Sequence, residues 1–166
     1  LVLPADHAIS QVDVFQSSLM KGVDLAAQNK LVTFGICPSK PETGYGYIQT
    51  GNSIANAEGA FDIQCFVEKP SLEVAEKYLA DGDYYWNSGM FLMSASAFLE
   101  ELRQHSPDIV ESCEKAIKSA QKDLDFVRVD KDTFTACPSD SIDYAVMEKT
   151  ENGVVIPMDC GWNDVG

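Results

Sequence analysis

Two aspartates follow short strand-like runs near opposite ends of the chain, Asp6 in LVLPADH and Asp164 in GWNDVG. Carboxylates just past strand ends are where an open α/β sheet gathers its ligand groups. If the two strands are neighbours, Asp6 and Asp164 can share one Mg2+, with phosphate and water oxygens completing a shell of roughly six ligands. Taken alone, each aspartate reads first as a turn or helix-cap residue. His7 reads as a local hydrogen-bonding residue and His105 as a surface one.

A second set of residues suits a sugar phosphate. Glu68-Lys69-Pro70 sets an acceptor and a cation side by side at a strand end, where the carboxylate can take hydrogen bonds from sugar hydroxyls and the ammonium can meet a phosphate. The alternative is an exposed edge ion pair. Asn87 in YYWNSG offers both an amide oxygen and an amide nitrogen to a sugar, or serves as a turn residue tolerant of positive φ. Gly46 in TGYGYI would let the backbone come close to a ligand, or simply serves its loop. Trp86 and Trp162 read as core packing.

These groups need a scaffold. Residues 1–3 are expected to form a buried strand of a parallel sheet. Ile9, Val12, Phe15, Leu19, Val23 and Ala26 recur at helical spacing before the polar stop Gln28-Asn29-Lys30. LVTFGI reads as a second buried strand, and PSKPETGYGYIQTGN as a long structured loop or hairpin. FDIQCFVEK alternates like a strand and ends at Pro70. Ser71 then caps a helix that carries Leu72, Ala75, Tyr78 and Leu79 on one side and stops at Asp81-Gly82. YYWNSG is expected to turn into a short strand, MFLMS. Phe98, Leu99 and Leu102 mark a further helix, and Ser106-Pro107 starts another that buries Ile109, Cys113, Ala116, Ile117 and Ala120. Residues 121–136 show no clear period, SIDYAVMEK reads as a short helix and VVIPM as a final strand. This alternation predicts an α/β fold with a mostly parallel sheet, as one domain over residues 1–166 that is incomplete at both ends.

Composition narrows the function. With 166 residues, 45% of them apolar and 23% charged, the chain can bury one substantial core. A net charge of -14 argues against a nucleic-acid partner, which would need clustered Lys and Arg. A phosphate ligand would then need a divalent cation between it and the carboxylates. No apolar run approaches bilayer length, so no membrane partner is expected. The five cysteines are widely spread and never form C-x-x-C, which argues against disulfides and structural zinc and favours a reducing cytoplasm. The absence of G-x-G-x-x-G, G-x-x-x-x-G-K-[ST] and G-x-S-x-G removes the anchors for dinucleotide oxidoreductases, P-loop NTPases and α/β-hydrolases.

Taken in order, LVLPADH, LVTFGI with PETGYGYI, FVEKP, YYWNSGMFL, SIDYAVMEKT and GWNDVG closely resemble the bacterial mannose-1-phosphate guanylyltransferases, including those fused to a mannose-6-phosphate isomerase domain. The resemblance runs along essentially the whole chain. It implies a Rossmann-like nucleotide-diphospho-sugar transferase fold and the conversion of GTP and α-D-mannose 1-phosphate to GDP-mannose and diphosphate for polysaccharide biosynthesis. It also implies catalytic roles for Asp6 and Asp164, as the Mg2+ pair, and for Lys69, as the sugar-phosphate contact. Glu68 would meet the sugar hydroxyls, Asn87 and Gly46 would line the same pocket, and Asp143 with Glu148 would shape it. The intact enzyme is expected to be a homo-oligomer. The family's opening signature, G-G-x-G-x-R-L-x-P-L-S, is absent, so the chain is expected to be an internal piece of a longer enzyme with little catalysis of its own. Two alternatives stand beside this reading: a nucleotidylyltransferase for another sugar 1-phosphate or nucleotide, and a non-catalytic sugar-nucleotide-binding regulatory subunit.

Overall fold

The computed structural model describes residues 1–166. In chain order the elements are β1 (His7–Ile9), α1 (Val12–Ala27), β2 (Leu31–Ile36), β3 (Tyr47–Ser53), β4 (Phe61–Val67), α2 (Leu72–Asp81), β5 (Tyr84–Leu92), α3 (Ala95–His105), α4 (Pro107–Lys118), β6 (Gln121–Asp123), β7 (Phe126–Arg128), α5 (Lys131–Thr135), a single π-helical turn (Asp143–Met147), β8 (Gly153–Pro157) and β9 (Trp162–Asp164). They divide into two compact units, Leu1–Ala97 with Glu151–Gly166, and Phe98–Thr150.

In the first unit, a strand as uniformly apolar as LVTFGI must be covered on both faces. β2 lies beside β8 in parallel, from Leu31 opposite Gly153 to Gly35 opposite Pro157. Val32, Phe34, Val154 and Ile156 are buried there with Leu25 of α1 and Met90 of β5. Each such side chain contributes about 1.5–3 kcal/mol by leaving water. Gly22 sets how closely α1 approaches this layer, because a Cβ there would stand 3.0 Å from Leu92 and 3.3 Å from Val32.

The α/β class holds, but the sheet is not mostly parallel. Hydrogen-bonded neighbours close in the order β2-β5-β3-β4-β8, and every pairing among them except β2–β8 is antiparallel. Apolar patterning reports burial and says nothing of strand direction. The short connection between β3 and β4 allows only an antiparallel pair.

Residues 1–3 depart from expectation as well. Val2 makes one antiparallel bridge to Phe91, and Leu1, Val2 and Leu3 are each about half exposed. Nor is YYWNSG a turn: β5 runs through it, as its aromatic residues favour, and Gly89 at φ +68° absorbs the irregularity. Ser71 does occupy the N-cap position of α2, without a side-chain capping bond, and Gly82 ends the helix at φ +78°, its N–H donating to the Tyr78 carbonyl.

In the second unit, Pro107 opens α4, which buries Val110 and Ala116 while Ile117, expected inside, is exposed. Residues 121–128 form the β6–β7 hairpin. Asp130 caps α5 by accepting from the Thr133 N–H and hydroxyl, bonds that hold its carboxyl below the ordinary value. The π-helical turn buries Ala145, Val146 and Met147. His105, expected at the surface, is largely covered, its Nε2 lying 3.3 Å from Glu101 Oε2. All five cysteines are free. No helix is long and apolar enough to cross a membrane.

Candidate metal and sugar-phosphate site

The two aspartates meet on a small ribbon. Strands β1 and β9 pair antiparallel, with His7 opposite Asp164, Ala8 opposite Asn163 and Ile9 opposite Trp162. The ladder is extended by Gln11 N–H to the Cys160 carbonyl at 2.9 Å and Val165 N–H to the Asp6 carbonyl at 3.0 Å. Gly161 makes the turn into β9 possible: its φ is +62°, and any Cβ there would collide with Ser10. Asp6 therefore sits just before a short antiparallel strand, where a position after a parallel strand was expected.

Ligand atoms of Asp6, His7 and Asp164 all lie within 4.8 Å of one another. Oxygens sharing one divalent ion stand at most about 4–5 Å apart, twice the usual metal–oxygen distance. The Asp6 side chain is 59% exposed and Asp164 is partly buried. Gly166 donates its N–H to Asp164 Oδ1 at 3.0 Å, and a Cβ on Gly166 would fill the space between the two carboxylates. Carboxylate oxygens and backbone lie around the space together with the His7 imidazole, and the oxygen donors among them suit a hard divalent cation.

Sequence reasoning missed what holds this ribbon. Trp162 donates its indole N–H to His7 Nδ1 at 3.0 Å, with the two rings edge-on at 5.0 Å. His7 Nε2 faces Asp6 Oδ1 at 3.9 Å. Tyr45 packs edge-on against both Trp86 and Trp162, at 5.3 and 5.4 Å. Its phenol is pushed above the ordinary value, first by burial and next by the Asp164 charge, so it keeps its proton. The GYGY run and the two tryptophans were the only signals, and they identify neither partner.

Gly46, Glu68 and Asn87, drawn from three segments of the sequence, also come together. Asn87 N–H donates to the Gly46 carbonyl at 2.8 Å. A Cβ on Gly46 would stand 2.5 Å from Glu68 Oε2 and 3.2 Å from Asn87 Cβ, so the absent side chain is what admits the carboxylate. The Glu68 side chain is 7% exposed, and its Oε1 lies 2.9 Å from Nζ of Lys69, which is 57% exposed. A buried carboxylate needs such a partner. Lys69 holds φ +47°, a left-handed conformation that costs a non-glycine residue roughly 1–2 kcal/mol. Pro70 adds to the constraint by disfavouring the right-handed helical region for the residue before it.

Asn87 is buried and is fixed through its oxygen, which accepts from the Thr33 hydroxyl at 3.1 Å and the Gly89 N–H at 3.2 Å. Thr33, wholly buried, is a further supporting residue. Its signal was the one hydroxyl inside LVTFGI. Asp143 lies in the second unit, on the π-helical turn, where its carbonyl accepts from the Glu148 N–H.

Comparison with known proteins matches residues 1–166 to the nucleotidyl transferase family. The chain is 54% identical over 168 residues to mannose-1-phosphate guanylyltransferase of Escherichia coli K12, and 55% over 168 residues to mannose-1-phosphate guanylyltransferase ManC of Salmonella typhimurium LT2. It is 56% identical over 166 residues to the xanthan biosynthesis protein XanB of Xanthomonas campestris pv. campestris B100. Each match covers 100% of this chain and 35% of the relative, so the chain spans about a third of the length of these curated relatives. Among solved structures, a Helicobacter pylori mannose-6-phosphate isomerase superposes with TM-score 0.89 at 34% identity, covering 98% of this chain and 62% of that one. A Thermus thermophilus mannose-1-phosphate geranyltransferase gives 0.83 at 33% identity, covering 99% and 45%. With the family matched from its first residue to its last, this chain belongs to the nucleotidyl transferases.

Proposed function

We propose that the whole protein is a mannose-1-phosphate guanylyltransferase, converting GTP and α-D-mannose 1-phosphate to GDP-mannose and diphosphate for polysaccharide biosynthesis. The observation that carries this reading is the 54–55% identity, along all of this chain, to bacterial proteins of that name. A phosphate oxygen of mannose 1-phosphate attacks the α-phosphorus of GTP in line. The new P–O bond forms as the bond to the bridging oxygen breaks, and diphosphate leaves, so no protein nucleophile is needed.

Binding and orientation then carry most of the rate. Glu68 accepts from sugar hydroxyls, Asn87 and the Gly46 backbone fix the ring, and the Lys69 ammonium lies against the sugar phosphate. Asp143 is proposed as a further substrate-binding residue. Nucleotidyltransferases of this kind generally use a divalent metal. We assign it as Mg2+ on Asp6 and Asp164, where it would neutralise phosphate charge. We further propose a cytoplasmic homo-oligomer with no nucleic-acid or membrane partner; the net charge of -14 supports the lack of a nucleic-acid partner.

The test is diphosphate release by the full-length protein with Mg2+, over a panel of nucleoside triphosphates and sugar 1-phosphates. GTP with mannose 1-phosphate is the expected pair. Preference for another pair would replace the substrates, and silence from a folded protein would favour a regulatory subunit.

A further inference from the structure

We infer that His7 is a positioning residue for Asp6 and not a third metal ligand, because the Trp162 indole decides which imidazole nitrogen carries the proton. The inference rests on the proposed metal reading of Asp6 and Asp164. By proximity alone His7 belongs to the ligand cluster. An imidazole nitrogen there would pull selectivity away from Mg2+ and toward Zn2+, Co2+ and Ni2+.

Hydrogen-bond chemistry assigns it differently. The indole N–H can only donate, and it stands 3.0 Å from His7 Nδ1, so Nδ1 accepts. A neutral imidazole that accepts at Nδ1 carries its proton on Nε2. Nε2 is the nitrogen that faces Asp6, 3.9 Å from Oδ1. A protonated ring nitrogen has no lone pair for a metal, and it presents positive hydrogen to the carboxylate.

The arrangement is held on several sides. The His7 side chain is 12% exposed, its ring stands at 85° to that of Trp162, and Trp162 packs edge-on against Tyr45 in turn. The strand register fixes His7 opposite Asp164 and Trp162 opposite Ile9. A cation between the aspartates is thereby left with oxygen donors from this chain, and the site stays hard.

Mn2+ bound to this chain, followed by electron spin-echo modulation, tests the assignment. The wild type is expected to show no directly coordinated nitrogen. Trp162→Phe keeps the ring edge and removes the N–H, which frees His7 to move its proton to Nδ1. Directly bound nitrogen should then appear, and the Zn2+ to Mg2+ affinity ratio should rise on the order of tenfold, the size of effect outer partners exert on metal sites. Adding His7→Gln to Trp162→Phe should abolish both changes.

Coordinated nitrogen in the wild type, or an unchanged nitrogen signal and affinity ratio in Trp162→Phe, would overturn the inference. Two-bond nitrogen–proton spectra of the metal-free wild type give a check that does not depend on a folded variant: proton on Nε2 is expected, and proton on Nδ1 overturns it. Mn2+ binding that Asp164→Asn leaves untouched would remove the metal reading and this inference together. That outcome is independent of the substrate assay, which tests the sugar and nucleotide.

Discussion

The candidate sugar-phosphate pocket and the candidate metal ribbon are built in opposite ways. Gly46, Glu68 and Asn87 stand at strands or strand ends of a closed ring of pairings, with a backbone bond from Asn87 to Gly46 and a carboxylate 7% exposed. Asp6 and Asp164 stand on or beside strands of three residues each, and the Asp6 side chain is 59% exposed. A two-stranded ribbon is marginal by itself. This one depends on Gly161 and on the aromatic contacts running from Trp86 through Tyr45 and Trp162 to His7. Under the proposed function, sugar recognition falls where the backbone is rigid, because selectivity between hydroxyl patterns requires fixed partners. On the same reading, charge handling falls where an ion and phosphates can enter.

The contrast can be broken most directly at Asp164. In the full-length protein Asp164→Ala should lower turnover by about 10²–10³-fold, the loss typical of a removed electrostatic stabiliser, while the thermal midpoint stays near wild type. A matching loss of midpoint would show that the ribbon bears on stability and would erase the distinction. Gly46→Ala probes the other region. Its Cβ would meet the tip of the flexible Glu68 side chain, so the carboxylate swings aside and the fold survives. Moving it loses a hydrogen bond between a charged group and the sugar, worth about 1.5–3 kcal/mol, which should appear as a KM for mannose 1-phosphate raised by roughly 10–100-fold. An unchanged KM would remove Glu68 from sugar binding.

Lys69→Ala should raise the same KM by about tenfold, the worth of one hydrogen bond to a charged group, and leave the KM for GTP alone. A selective loss of GTP affinity would move Lys69 to the nucleotide side.

Alkaline pH addresses the cluster beneath the pocket. The Tyr45, Tyr78 and Tyr84 phenols are all pushed above the ordinary value of 10.0, burial being the first cause in each. The folded state therefore binds these protons more tightly than the unfolded chain. Stability should be complete below pH 10 and fall as pH rises from there through the raised folded values. Melts monitored by circular dichroism should show that decline softened in Tyr78→Phe, whose ring stacks on Tyr84 at 3.9 Å; an identical decline would place its cause elsewhere. The smallest effect is expected for Tyr47→Phe. Its hydroxyl is buried with no partner, so its removal should leave stability within about 1 kcal/mol of wild type. A larger loss would reveal a bond that holds the pocket wall.

Local features were the legible ones. The span of α1, the largely apolar β2, the stop before Pro70 and the left-handed Gly82 each follow from a few neighbouring residues and stand where the sequence puts them, whereas Val12 and Val23, marked by the α1 period, are exposed. YYWNSG misled because Asn, Ser and Gly signal a turn locally, whereas pairing with β2 and β3 keeps the segment extended. Ile117 misled because helical spacing marks a face without saying what covers it. At the site, the residue types were legible and their supports were not: Thr33 behind Asn87, Tyr45 between two tryptophans, Trp162 on His7.

The sequence by itself determined the chemistry on offer: two strand-flanking aspartates, an adjacent Glu-Lys, a glycine that would let backbone approach a ligand, and strand and helix segments set by local periodicity and backbone stereochemistry. The tertiary structure decided the antiparallel pairing, the convergence of Gly46, Glu68 and Asn87, and the His7–Trp162 bond between residues 155 positions apart. Periodicity encodes burial along one segment. Strand direction, register and the proton on an imidazole are properties of a pair, and the pair exists only once the chain has folded.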